Sequence, residues 1–270
     1  MKVMESYKRI LISCFLCGFY IPCIFSQDGV YGDSFTKRIE YNFIDVQLIK
    51  EVDGKSIIAG YLCNVGSKSD VEKLLFGSDF NAKIEFFYAP SFEASTKGET
   101  GFRIMKDSLD TSYILEVKHI PNYEEVYREC DDKYPVTGIP ADIMHSMPLN
   151  SIPLYSNELI WKQRHDERLK LFKVETLSFS VSDQFAEILY QKMVSFIDIF
   201  KAKGRLLLSA DGYSVTFRNV VDDEVWSLEI HNAEGDALKL ADLCRQIITD
   251  AKTNKLNEST YISVLNGFDF

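Results

Sequence analysis

The chain has 270 residues, with 30 Lys and Arg against 40 Asp and Glu, for a formal net charge of −10 at pH 7. That balance excludes nucleic-acid binding through a basic patch, which supplies most of the affinity in such complexes, and docking on an anionic membrane surface. The length suffices for one large domain or two small ones, each with its own core.

The chain begins MKVMESYKRILISCFLCGFYIPCIFSQDG. Lys8 and Arg9 form a positive n-region, Ile10 to Phe25 is an apolar run, and Ser26 is a small residue before Gln27. The pattern predicts a signal peptide over 1–26, because the run is shorter than the ~20 residues of a spanning helix. Leu11-Ile12-Ser13-Cys14 resembles a lipoprotein cleavage box. It lies too close to Arg9, and apolar sequence continues past it, so lipidation is not expected. Later residues hold no apolar run of ~18, so no membrane-spanning segment is expected after cleavage.

Arg38 to Lys50 and Lys55 to Asn64 read as strands around the turn Val52-Asp53-Gly54. Ser69-Asp70-Val71-Glu72 is a capping box opening a helix that ends at Gly77. Lys83 to Ala89 reads as a strand stopped by Pro90, and Ser91 to Gly101 as a loop. Phe102 to Lys106 and Ser112 to His119 form a hairpin with Tyr113, Leu115 and Val117 on one face. Asn122 is the expected cap of the next helix, which ends before Pro135. Val136 to Ser156, with three prolines, is the candidate linker. Glu167 to Ser180 reads as extended. Asp183 to Lys203 is the strongest helix, with Phe185, Ile188, Leu189, Met193, Phe196, Ile197 and Phe200 at helical spacing. Strands follow at Arg205 to Ala210, Tyr213 to Arg218 and Val225 to His231, then an amphipathic helix from Ala237 to Lys252.

Two stretches share a shape. FRIMKDSLDTSYILEVKH (Phe102 to His119) and FRNVVDDEVWSLEIH (Phe217 to His231) both open on Phe-Arg, place Asp five residues after the Phe, and close on Leu-Glu-(Val/Ile). Each is the last hairpin of its half and precedes a helix carrying a cysteine. The expected fold is therefore α+β: two sheet-plus-helix units, each roughly β-α-β-β-β-α, with antiparallel sheets and helices on one face. The expected division is signal peptide 1–26, N-terminal unit 27–135, linker 136–156 and C-terminal unit 157–270.

Three cysteines remain after 1–26: Cys63, Cys130 and Cys244. Cys130 and Cys244 fall on apolar helix faces, where thiols pack as small hydrophobes; one disulfide with a leftover thiol is the alternative. Gly212-Tyr213-Ser214 lacks the second glycine of a nucleophile elbow, and Gly54-Lys55-Ser56 lacks the glycine of a phosphate loop. His165-Asp166-Glu167 lacks zinc-ligand spacing. His231 shares a strand face with Ser227 and Glu229, an arrangement suited to acid–base work and equally to a solvated polar edge. His119 ends a strand on its apolar side. His145, beside Met144 and Met147, lies in a loop able to wall a cleft. The acidic clusters Glu124-Glu125, Glu129-Cys130-Asp131-Asp132 and Asp222-Asp223-Glu224 fit helix-end charge and turns better than calcium. Phe86, Phe87 and Tyr88 are consecutive and suit a strand buried on both faces, or an aromatic surface for a sugar or protein. No catalytic residue, metal ligand or cofactor is assigned.

SDQFAEILYQKMVSFIDIFKAKG, DGYSVTFR, EVWSLEIH, LADLCRQIITDA and FRIMKDSLDTSYILEVKHIPNYEEV together resemble an uncharacterised family of small exported proteins of gut Bacteroidetes. The resemblance implies a periplasmic or secreted setting, in which the sequon Asn257-Glu258-Ser259 is not glycosylated. It supplies no catalytic residues. The expected function is an exported, non-catalytic binding or interaction protein for an unknown protein, small-molecule or glycan ligand. The alternative is an exported hydrolase with a dispersed carboxylate or His site.

Overall fold

The computed structural model describes residues 44–52, 55–58, 68–91, 98–106, 112–136, 158–200, 212–222 and 224–270. The expected signal peptide, most of the expected linker, the expected strand at 205–210, Cys63 and His145 lie outside the described residues. Among the described residues eight strands are present: β1 (Ile44–Val52), β2 (Lys55–Ile58), β3 (Ile84–Ser91), β4 (Thr100–Lys106), β5 (Tyr113–His119), β6 (Glu175–Val181), β7 (Gly212–Val221) and β8 (Glu224–His231). They form one antiparallel sheet in the order β2-β1-β8-β7-β3-β4-β5-β6. Six helices accompany it among the described residues: α1 (Asp70–Phe76), α2 (Tyr123–Lys133), α3 (Glu158–Leu171), α4 (Asp183–Ile199), α5 (Gly235–Lys252) and α6 (Glu258–Asn266). None is long and apolar enough to cross a membrane.

The α+β class is as expected; the arrangement in two units with helices on one face is not what forms. Strands of both halves alternate in one sheet, since β3 pairs with β7 and β1 with β8. Helices cover both faces. Ile84, Phe86, Phe102, Leu115 and Phe217 pack with Leu189 of α4, Leu240 of α5 and Tyr261 of α6. Phe87, on the opposite face by the two-residue period, packs with Leu75 of α1, Val126 of α2 and Phe172 after α3. The physical reason is β3: Phe86 and Phe87 are adjacent and buried at 0% and 4% exposure, so both sides of the central strand need an apolar cover.

The repeated Phe-Arg explains itself here. Phe86 of β3 lies opposite Phe102 on β4 and Phe217 on β7, while Glu85 lies opposite Arg103 and Arg218. The two hairpins flank one strand and present the same dipeptide to it. The three Phe rings form a row with centroids 5.6 and 5.5 Å apart. Such pairs contribute ~0.5–1.5 kcal/mol beyond burial, so this row is adhesive, whereas the charged row behind it is closer to neutral in net energy.

Local sequence accounts for most ends. Ser69 and Glu72 form the expected capping box of α1. Ser182 caps α4 by accepting from Phe185 N. β3 runs through Pro90 to Ser91 because β4 leaves it at Tyr88, so the missing N–H removes no bond on that side. Asn122 makes no capping bond to α2; it donates to Leu171 O at 3.0 Å and accepts from Lys173 N at 2.9 Å, tying α2 to the α3–β6 connection. The extended reading of 167–180 holds only from Glu175. Residues 167–171 finish α3, a helix without an apolar stripe, held by charge: Arg164 donates to Tyr134 O at 2.7 Å, and Arg168 to Asp131 at 2.7 Å.

Candidate functional site

The charged row on the α1 face runs Arg218 (β7), Glu85 (β3), Arg103 (β4), Glu116 (β5). α1 lies over it and contributes Glu72, with Lys68 just before the helix. Arg218 donates through Nη1 to Glu85 Oε1 and through Nη2 to Glu72 Oε1 at 3.1 Å. Lys68 donates to Glu85 Oε2 at 2.9 Å and to Asp79 O at 2.9 Å. Ser69 N donates to Glu72 Oε2 at 2.7 Å. All four charged residues are buried, and two cations balance two anions. Burial lowers the Lys68 pKa against the pull of Glu85. Burial also works against Arg218, but Glu72 and Glu85 outweigh it and raise its pKa. The Phe80 ring lies beneath both cations, 4.8 Å from Lys68 Nζ and 5.3 Å from Arg218 Cζ. Arg218 Nε is buried without a hydrogen-bond partner. Arg103 turns away from Glu85 to Glu116 at 2.7 Å and Phe76 O at 3.2 Å, because Lys68 and Arg218 occupy the oxygens of Glu85.

Beside this cluster stands Glu99, at the start of β4. Gly98 has φ +60°, and a Cβ there would meet Tyr123 Cγ at 2.6 Å, so only glycine lets the chain pass the α2 tyrosine and deliver Glu99 inward. Glu99 Oε2 is buried with no hydrogen-bond partner. Burial first, then the Glu72 charge, raises its pKa to about 7. The Tyr123 and Tyr127 rings lie 4.4 Å apart, tilted by 30°, and burial raises both their pKa values, with Glu99 adding to the effect. Arg168 Cζ lies 3.6 Å over the Tyr127 ring, and its Nε is buried without a partner. Three segments, the start of β4, α2 and α3, thus deliver a neutral-range carboxyl, two tyrosines and a guanidinium to one neighbourhood. The Glu99 carboxyl can hold a proton in the neutral range.

The residues singled out from sequence disperse. Ser227 is buried and Glu229 exposed, while His231 Nδ1 lies 3.3 Å from Ser214 Oγ on β7. His231 Nε2 is buried without a partner, and no hydrogen bond links it to a carboxylate, so no Ser–His–Glu relay forms. His165 sits 3.1 Å from Asp70, both exposed. His119 Nε2 lies 3.3 Å from Glu175, with its pKa lowered by burial and Lys252 and pulled back by Glu175. Cys130 and Cys244 are free and buried. They sit in the cores on opposite faces of the sheet; a bridge needs Cα atoms within ~7 Å, so they cannot pair with each other. Glu124 and Glu125 fill the first turn of α2, Asp131 receives Arg164 and Arg168, and Asp222 turns the β7–β8 hairpin at φ +52°. No group of three or more His, Cys, Asp or Glu among the described residues is placed to hold a metal.

Lys68, Glu72, Glu85, Glu99 and Arg218 were not legible as one cluster. The available signal was a single charge inside each apolar strand, Glu85 in IEFFYA and Arg218 in VTFRNVV. A lone charge flanked by core residues must be buried with a partner.

No family model, curated protein or solved structure matches the chain.

Proposed function

We propose that this is an exported, non-catalytic interaction protein of the bacterial envelope or its exterior. The observation that carries the reading is where the chemistry points. The strongest charges, Lys68, Glu72, Glu85 and Arg218, are spent on one another beneath α1. The outermost strand β6, in contrast, pairs only with β5 among the described residues and shows exposed Glu175, Thr176, Ser178 and Ser180. Unpaired strand edges are sites where another chain adds. Export rests on the 1–26 pattern, and N-terminal sequencing of secreted material should begin at Gln27.

A second reading is favoured by Glu99. A carboxyl with a pKa about 7 and an unpartnered buried oxygen has the properties of a general acid, and Glu72 nearby accepts a hydrogen bond from Arg218. The two readings separate in one panel of chromogenic esters, glycosides and peptides run beside a glycan and protein binding screen. Saturable binding without turnover supports the interaction protein. Turnover that is lost in Glu99→Gln overturns it in favour of the hydrolase.

A further inference from the structure

We propose that the free edge of β6 joins a second copy of this chain, strand to strand across a two-fold axis at Ser178. The inference rests on the interaction reading and names its partner.

Among the described residues, β6 lacks the devices that protect sheet edges. Its register with β5 is unbroken from Tyr113↔Val181 to His119↔Glu175, so no bulge bends it away. It contains no Pro and no Lys, and its one charge, Glu175, stands at its end. Residues facing the α1 side, Thr176, Ser178 and Ser180, are exposed hydroxyls; Leu177 and Phe179 face the opposite side, half-buried against the main core.

The strand is complementary to itself. A two-fold axis perpendicular to the sheet keeps each face on its own side, so the axis must pass through a residue; between residues it would oppose side chains of opposite faces. Centred on Ser178, all seven residues find partners: Thr176 meets Ser180, Leu177 meets Phe179, and Glu175 meets Val181 of the second copy. Hydroxyl pairs, apolar pairs and the absence of facing like charges each favour an antiparallel contact. Centres at Leu177 or Phe179 shorten the overlap, and the former sets Glu175 against Phe179. Because the contact is isologous, it closes at two copies and forms no fibre. The net charge of −10 opposes approach of two copies, so added salt should strengthen the dimer.

The test uses the mature chain in analytical ultracentrifugation up to about 100 μM. A dimer is expected. Residues directly opposed across antiparallel strands have Cα atoms ~4.5–5.5 Å apart, within disulfide reach. Oxidised Ser178→Cys should therefore run as a covalent dimer, as should the double variant Thr176→Cys with Ser180→Cys. Thr176→Cys alone should not. Ser178→Lys, at an exposed position, should keep the wild-type circular dichroism and weaken dimerisation at least tenfold. A monomer at every concentration overturns the proposal and leaves the interaction reading standing; a dimer that survives Ser178→Lys overturns it by placing the contact elsewhere. Slow amide exchange along β6 in a monomer also overturns it, by showing that another segment of the chain covers the edge. Turnover in the substrate panel instead removes the reading beneath it.

Discussion

Arg218 and Glu85 face each other across β7 and β3, joined by a hydrogen bond with both side chains 3–4% exposed. Arg103 faces the same Glu85 from the other side, yet pairs with Glu116 at side-chain exposures of 14% and 18%. Two arginines in the same sequence context therefore occupy different electrostatic environments. Removing one member of a buried pair strands the other charges, at ~3–5 kcal/mol. Arg218→Met leaves Glu72 and Glu85 with only Lys68 and should cost that much in urea unfolding. Arg103→Met should cost only about 1 kcal/mol, since water reaches Glu116. Equal losses would show that the two positions are energetically alike.

Glu99 makes stability depend on pH. Its folded pKa is raised from 4.5 to about 7. Below pH 4.5 the carboxyl is protonated in both states and contributes nothing. Between 4.5 and about 7 the unfolded chain ionises first, so the unfolded state binds fewer protons and stability falls as pH rises. Above 7 the penalty is complete, on the order of 3 kcal/mol. Glu99→Gln should therefore match the wild type near pH 4, flatten this slope, and be the more stable protein at pH 8. A variant whose stability parallels the wild type across this window would show that Glu99 is solvated as an ordinary surface carboxyl.

How far sequence reached depended on whether an element is held by apolar periodicity. α4 repeats Phe185, Leu189, Met193, Phe196 and Ile197 along the buried side, and was legible to within a turn. α3 buries Arg164 at 5% exposure where an apolar residue would usually signal a helix, and its end, from Glu167 to Leu171, was misread as extended. α6 went unread because its nine residues bury only Tyr261 and Leu265, although Asn257 caps it by accepting from Thr260 N. The Phe-Arg repeat was visible, but its meaning depends on β3 lying between the two hairpins, a non-local fact that no spacing encodes. The same holds for Glu99, whose neighbours come from α1, α2 and α3.

The arginine clamp on α3 has its own test. Arg164 donates to Tyr134 O and Asp131 O, the exposed carbonyl end of α2, and pairs with Asp131 at 2.9 Å. Arg164→Ala leaves those acceptors in a site the guanidinium had shielded, at ~1–3 kcal/mol. Amide exchange should accelerate in 159–171 and at the end of α2, and remain slow in α4, which packs on the other face. Uniform acceleration would show that α3 does not open separately from the rest of the fold.

The cysteines report on the two cores. Cys244 lies at 0% exposure among Leu240, Ile247 and Ile248 on α5, and burial drives its thiol pKa far up. Cys130, also at 0%, lies on the buried side of α2 with its pKa raised, burial being the main cause. Alkylation needs the thiolate and an open path, and both are withheld. In native protein at pH 8, iodoacetamide followed by peptide mapping should leave Cys130 and Cys244 unmodified, and both should label fully in urea. Because the sheet separates them, partial denaturation gives a further readout. Opening the charge-held α2–α3 layer first exposes Cys130 while Cys244 stays protected under α5. Labelling of both at one denaturant concentration would instead mean that the two faces unfold as a single cooperative unit.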